Sequence, residues 1–250
     1  MPQQRCAAAD ASAVWVADKG RTMVKQDSRY SSYFVAVATI FVTCLVISNV
    51  IAVKLAILGG LVLPAAIVIF PVSYLLADVL TEVYGFRAAR RVIWLGFFCN
   101  LLAVAAIYIG EYLPAAGFWP DQAAYDKILG ATPRILAASF LAYLVGEFAN
   151  TIIMSRLKVA MAGRHLWLRA IASTLAGQGL DSAVFISIAF SGVMPTPILL
   201  GTIVTQWLVK SAYEALATPL TYGMVAFLKR REGIDVYDRQ LRFNPFALSE

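Results

Sequence analysis

The chain has 250 residues, of which 60% are hydrophobic and only 14% charged, and its mean hydropathy is +0.72. A soluble domain is usually about 45–50% apolar and about 25% charged, so this composition excludes an ordinary soluble enzyme and points to a polytopic membrane protein. The net charge of +6 would suit nucleic acid, but the placement of the basic residues gives it another meaning.

Residues 1–30 are polar, mixed in charge and without a long apolar stretch, so they do not read as a cleavable secretory signal. They are expected to form a mostly disordered cytoplasmic tail. Six apolar segments follow, at about 32–53, 61–82, 91–112, 133–155, 168–191 and 198–228. A spanning helix needs roughly 20 apolar residues, and the last segment is long enough to tilt. Gly59 and Gly60 turn the chain between the first two, and the uncharged "SGVMPTP" turns it between the last two. The longest loop, "EYLPAAGFWPDQAAYDKILGAT", separates the third from the fourth. The expected organisation is therefore a tail over 1–30, a six-helix transmembrane domain over 31–229 and a cytoplasmic C-terminal tail over 230–250.

Lysine and arginine placement sets the orientation. Seventeen of the 21 lie in the N-terminal tail, the loop between segments two and three, the region between four and five, and the C-terminal tail. Only Lys54, Lys127 and Arg134 lie on the other side, and Lys210 is inside segment six. By the positive-inside rule both termini are cytoplasmic. The basic charge is then a topology signal, and no nucleic-acid partner is expected.

Several charges fall where a bilayer would oppose them. Each charge at the centre of a spanning helix costs about 2.5–3.5 kcal/mol on insertion scales. Tyr74, Asp78 and Glu82 form a stripe near the inner end of segment two. Glu147 is mid-way along segment four, on one face with Tyr143 and Asn150. Gln178, Asp181 and Phe185 share a face of segment five. Lys210 and Glu214 are four apart in segment six, beside Trp207 and Tyr213, and Asn49 and Lys54 lie at the outer end of segment one. The structural reading is pairing: Lys210 neutralises Glu214 or Asp181, and Asp78 and Glu82 bond Arg87, Arg90 or Arg91. Three mid-membrane carboxylates against one lysine leave carboxylates over, which call for a proton, water or a polar ligand.

Other chemistries find no support. Cys6, Cys44 and Cys99 lack CxxC spacing, and His165 is the one histidine, so neither a metal site nor a cofactor is expected. No GxxxxGK[ST], HExxH or GxSxG occurs, which argues against a built-in ATPase and against an intramembrane enzyme.

The blocks "SNVIAVK" (48–54), "FPVSYLLADVLTEVYG" (70–85), "RRVIWLGF" (90–97), "GEFAN" (146–150), "LWLRAIASTLAGQGLDSAVF" (166–185), "KSAYEALATPLTY" (210–222) and "DVYD" (235–238) resemble, in order and spacing, the queuosine precursor transporter family, also called the vitamin uptake transporter family. The resemblance runs from about residue 34 to 238. It implies an all-α membrane protein, a six-transmembrane-helix bundle like the S-components of energy-coupling-factor transporters. It also implies an inner-membrane importer of 7-deazaguanine bases, preQ0 and preQ1, by secondary transport or facilitation. The alternative is a substrate-binding S-component working with separate ATPase and coupling subunits; no ATPase partner is evident, and a homo-oligomer is compatible with the chain. A guanine-like edge offers two parallel N–H donors that one carboxylate can accept, and a flat base stacks on an aromatic face. Asp181 is the first choice for that edge, with Glu147 and Glu214 as alternatives. Lys210 donates to the base carbonyl or holds Glu214 charged. Asn49 and Gln178 orient the ligand, and Trp207, Tyr213, Phe185 or Tyr74 stack on it. Asp78 and Glu82 form a gate or a structural clamp.

Overall fold

The structure, a computed structural model, describes residues 31–52, 54–58, 61–130, 133–192, 195–238 and 244–245. The expected N-terminal tail, Cys6, the Gly59-Gly60 turn and residues 239–243 and 246–250 of the C-terminal tail lie outside them. The regular elements of the described chain are helical apart from one short hairpin. Its elements are α1 (Ser32–Ile51), β1 (Leu55–Leu58), β2 (Leu61–Pro64), a 3-10 turn (Ala65–Val68), α2 (Phe70–Tyr112), α3 (Gln122–Leu129), α4 (Pro133–Ala160), α5 (Leu166–Phe190) and α6 (Thr196–Glu232). Among the described residues, four stretches are long and apolar enough to cross a membrane: Ser32–Ile51, Pro71–Tyr112, Gln122–Ala160 and Leu166–Phe190. Helix α6 is not one of them, because Gln206, Lys210 and Glu214 interrupt its apolar run. These spans make the chain a multi-pass membrane protein.

Local chemistry sets the element ends. The Ser31 hydroxyl accepts the Phe34 N–H at 3.0 Å and caps α1. Helix α6 ends on Gly233, whose φ of 67° suits the left-handed stop that glycine tolerates. Lys229, Arg230 and Arg231 fill its last turn, where cations meet the negative end of the helix dipole.

The second apolar segment is not a single helix from 61. Antiparallel β1 and β2 pair Leu55 with Pro64 and Leu58 with Leu61. The pairing satisfies backbone groups on the facing edges of the two strands. Helix α2 then starts with Pro71 in its first turn, where a missing N–H costs nothing.

The third segment follows with no loop, so the six separate helices read from the sequence are five continuous helical runs here. The reversal happens at Gly85, with φ 81° and ψ 174° inside α2. Residues 70–84 and 86–112 are two arms, and their contacts with α4 give their directions. On the first arm, Asp78 meets Asn150 and Glu82 meets Lys158, so this arm runs parallel to α4. On the second, Tyr143 donates to the Ile93 carbonyl at 3.0 Å and the ring of Phe97 meets that of Phe140 at 5.4 Å. Phe86 and Ser155 share the carboxylate oxygen of Asp238, so the second arm runs back against α4. A side chain at Gly85 would meet Val236 Cγ1 at 2.7 Å, so both the backbone angle and the space require glycine.

The apolar core lies between α1, both arms of α2 and α4, around Phe41, Val79, Val83, Phe86 and Ile93. Leucines such as Leu102, Leu200 and Leu216 face outward, as lipid-facing positions do. Helices α4 and α5 touch backbone to backbone. A Cβ at Gly146 would sit 2.8 Å from Asp181 Cβ and 3.1 Å from the Gly177 carbonyl. A Cβ at Gly177 would sit 2.9 Å from Asn150 Cβ and 3.0 Å from the Gly146 carbonyl. This small-residue crossing brings the polar faces of α4 and α5 together.

The chain beyond α6 packs back onto the bundle. Val236 N–H donates to the Val83 carbonyl at 3.3 Å, Arg90 to Asn244 O at 2.7 Å and Trp94 to Pro245 O at 2.8 Å. Asp238 accepts the Phe86 N–H at 2.8 Å and so caps the second arm of α2 from 152 residues away in sequence.

Candidate binding site: two polar clusters one helical turn apart

Most of the buried charged side chains fall into two groups, which divide the Tyr74–Asp78–Glu82 stripe between them. The first group lies between the first arm of α2, α4, α5 and α6. Helix α6 supplies it through Ser211, Glu214, Thr218 and Thr221, spaced three or four apart on its buried face. Asp78 accepts from Asn150 Nδ2 at 2.8 Å. Glu214 accepts from the Thr174 hydroxyl at 2.6 Å and from Gln178 Nε2 at 3.3 Å. Lys210 Nζ reaches Asp181 Oδ2 at 2.6 Å. Glu147, 1% exposed, has no hydrogen bond or ion pair among the described residues, and its Oε2 is buried without a partner. Its carboxylate is within electrostatic reach of Asp78, Asp181 and Glu214, and the Tyr74 phenol within reach of Glu147, Asp181 and Glu214. Asn150 Oδ1, Thr151 Oγ1, Gln178 Oε1 and Ser182 Oγ are also buried without a partner.

The second group is an ion lock at the end of the bundle where the basic residues gather. Arg169 grips both oxygens of Glu82, at 2.5 and 3.2 Å. Lys229 reaches Glu82 at 2.7 Å and Asp235 at 2.9 Å. Lys158 meets Asp235 at 2.6 Å and Glu82 at 3.8 Å, and its ammonium stands 4.6 Å from the centre of the Tyr237 ring. Arg169 also donates to the carbonyls of Arg164 and Gly163, both at 3.1 Å. Asp235 lies beyond the helices. Partial burial pushes its carboxyl up, but the hydrogen bonds and charges of Lys158 and Lys229 outweigh that and hold it below the usual aspartate range.

The residues singled out from sequence divide accordingly. Asp181, Gln178, Glu147, Lys210 and Glu214 are brought together, and Asp78 and Tyr74 join them. Glu82 is held by Arg169, Lys229 and Lys158, not by the neighbouring Arg87, Arg90 or Arg91. Lys210 pairs with Asp181 and not with Glu214. Asn49 is elsewhere: it accepts from Ser139 at 3.4 Å and lines a separate cavity with Asn100 and Tyr108. Tyr213 points outward, 39% exposed. Phe185 packs edge-on to Phe190 at 6.2 Å. Trp207 is half-buried and donates its indole N–H to the Leu175 carbonyl at 2.9 Å. Of the aromatics considered for stacking, Tyr74 is the one inside the carboxylate cluster. Thr151, Thr174 and Ser182 were not anticipated. The signal was spacing: Thr151 follows Glu147 by four, Thr174 precedes Gln178 by four, and Ser182 follows it by four.

Among known proteins, residues 64–224 match the family described as "Putative vitamin uptake transporter". A protein of Bacillus subtilis named "Probable queuosine precursor transporter" is 31% identical over 181 residues, which is 71% of this chain and 78% of that protein. The "Queuosine precursor transporter" of Escherichia coli is 32% identical over 121 residues, 48% of this chain and 52% of that protein. A third relative, from Haemophilus influenzae and named "Probable queuosine precursor transporter", is 28% identical over 121 residues. No solved structure matches the chain.

Proposed function

The chain belongs to the vitamin uptake transporter family, and we propose that it imports queuosine precursors across the cell inner membrane. The cargo is a 7-deazaguanine base, preQ0 or preQ1, carried by secondary transport or facilitation and without chemical conversion. Both termini are on the cytoplasmic side, in keeping with the basic residues there. The fold is a six-span bundle of the S-component kind, with the two arms of α2 counted as separate spans.

One observation supports the site most: four acidic side chains and several partnerless buried oxygens meet between α2, α4, α5 and α6. Unsatisfied polar groups at membrane depth are costly and mark substrate paths. Asp181, oriented by Lys210, accepts the paired N–H donors of the base edge. Gln178 and Asn150 offer carbonyl oxygens beside it, and Tyr74 offers a ring. Glu82 and its cations hold the cytoplasmic end together around this path.

The test is uptake of radiolabelled preQ0 and preQ1 into proteoliposomes containing only this chain, with guanine as competitor. Uptake above protein-free vesicles is expected for at least one base. Its appearance without any ATPase subunit separates this reading from that of a subunit of an ATP-driven importer. Absence of both uptake and binding of every base by folded protein refutes it.

A further inference from the structure

We propose that the carboxylate cluster selects a ligand carrying one positive charge, and that Glu147 is the group that receives that charge. The inference rests on the proposed import of a deazaguanine base and says which kind of base is preferred.

The charge inventory comes first. Glu147 is within electrostatic reach of Asp78, Asp181 and Glu214, and Asp78 within reach of Glu214 and, more weakly, of Arg169; the cation inside the cluster, Lys210, is engaged by Asp181 at 2.6 Å. The next cations along the bundle, Arg169, Lys229 and Lys158, are held by Glu82 and Asp235. The cluster is therefore short of positive charge.

The hydrogen-bond inventory agrees. One amide N–H each of Asn150 and Gln178 is engaged, by Asp78 and Glu214, which leaves one N–H on each. The atoms left wholly without a partner are acceptors, Glu147 Oε2, Asn150 Oδ1 and Gln178 Oε1, with the hydroxyls of Thr151 and Ser182 able to turn either way. A site of four carboxyl groups and partnerless carbonyl oxygens offers more acceptors than donors and fits a ligand rich in N–H groups. A primary ammonium on a flat base supplies both the donors and the charge. Asp78, Asp181 and Glu214 each have a partner, and Glu147 has none among the described residues. Gly146 and Gly177 hold it at the α4–α5 crossing, against the face that carries Gln178 and Asp181.

The experiment is equilibrium binding of preQ1, whose aminomethyl group is a cation, and of neutral preQ0 to the full chain in detergent. Wild type is compared with Glu147→Gln. Wild type is expected to bind preQ1 about tenfold or more tighter than preQ0, the factor for one charge-assisted hydrogen bond. Glu147→Gln is expected to lose that preference by weakening preQ1 and sparing preQ0. Equal binding of both bases by wild type overturns the inference, because protons and not the ligand would then balance the cluster; this comparison needs no variant to fold. A folded Glu147→Gln that weakens both bases alike, or neither, overturns the role of Glu147. Failure of wild type to bind either base is a different result, and it removes the import reading itself.

Discussion

Glu82→Gln should cost this protein more stability than any other single substitution at the edge of the bundle. Glu82 is 1% exposed. It takes Arg169 with two contacts, at 2.5 and 3.2 Å, Lys229 at 2.7 Å and Lys158 at 3.8 Å. The substitution keeps size and shape but removes the charge, so Lys158 and Lys229 are left with Asp235 as their one carboxylate and Arg169 with the carbonyls of Arg164 and Gly163. Removing one partner of a buried ion pair typically costs about 3–5 kcal/mol, because the other charge stays buried and uncompensated. For a chain of this size 1 kcal/mol moves a melting temperature by about 2–4 °C, so a fall of roughly 6–20 °C is expected. The assay is thermal unfolding of the detergent-purified protein, followed by tryptophan fluorescence. A second variant separates lost attraction from stranded charge: Arg169→Met added to Glu82→Gln should recover part of the loss, since the pair is removed together. A fall of less than about 2 °C for Glu82→Gln, or a double variant that is simply additive, would refute the view that this carboxylate holds the lock.

Gly146→Ala should drive α4 and α5 apart, since the new methyl group would meet Asp181 Cβ at 2.8 Å. A loss of about 1–3 kcal/mol is expected, together with weaker ligand binding, whereas Gly201→Ala, with nothing within 4 Å, should leave binding unchanged. Asp238→Ala removes the acceptor shared by Phe86 N–H and Ser155, and should lower stability by about 2 kcal/mol, in the range of a strong helix cap. Stability should also have an acid limb. The Asp235 carboxyl is held below its ordinary value, so its contribution is fully present above the unfolded aspartate value of about 3.9 and is lost as pH falls through the lower folded value. Melting temperature should therefore be flat in this respect from neutral pH to about 4 and then fall. Asp235→Asn should flatten part of that fall, and only part, because the side chain is 40% exposed.

The charges themselves were easy to find in the sequence, because anything ionisable stands out in a chain that is 60% hydrophobic. Their partners were not. In a soluble helix the apolar stripe tells which face is buried. In a membrane helix the lipid-facing side is apolar too, so the pattern does not reveal the rotation. Hence Asp181 and Glu147 were placed in the right helices, while the outward turn of Tyr213 and the distance of Asn49 from the carboxylates could not be foreseen. Sequence proximity also misled: Arg87, Arg90 and Arg91 are close to Glu82 along the chain, yet Gly85 turns the helix back before them. Their place is taken by Arg169, Lys229 and Lys158 from three other positions in the fold. The hairpin of β1 and β2 was hidden for a related reason, since a short apolar run carries no periodicity that separates strand from buried helix.

Asp78 and Glu82 show why the first arm of α2 matters to both clusters. They are four residues apart on one face, about 6 Å along the helix axis. Asp78 belongs to the acceptor-rich cluster through Asn150, and Glu82 belongs to the ion lock through Arg169 and Lys229. The arm that joins them is short: residues 70–84 rise only about 22 Å, less than the roughly 30 Å of a hydrocarbon core. It ends on a glycine hinge that leaves the second arm free to take a different direction. The positions of Asp78 and Glu82 are coupled, because the helix between them is continuous. The lock also holds Asp235, and through Val236 and Asp238 the returning C-terminal segment that caps the second arm. One rigid turn of helix thus links the acceptor-rich cluster to the contacts that close the basic end of the bundle.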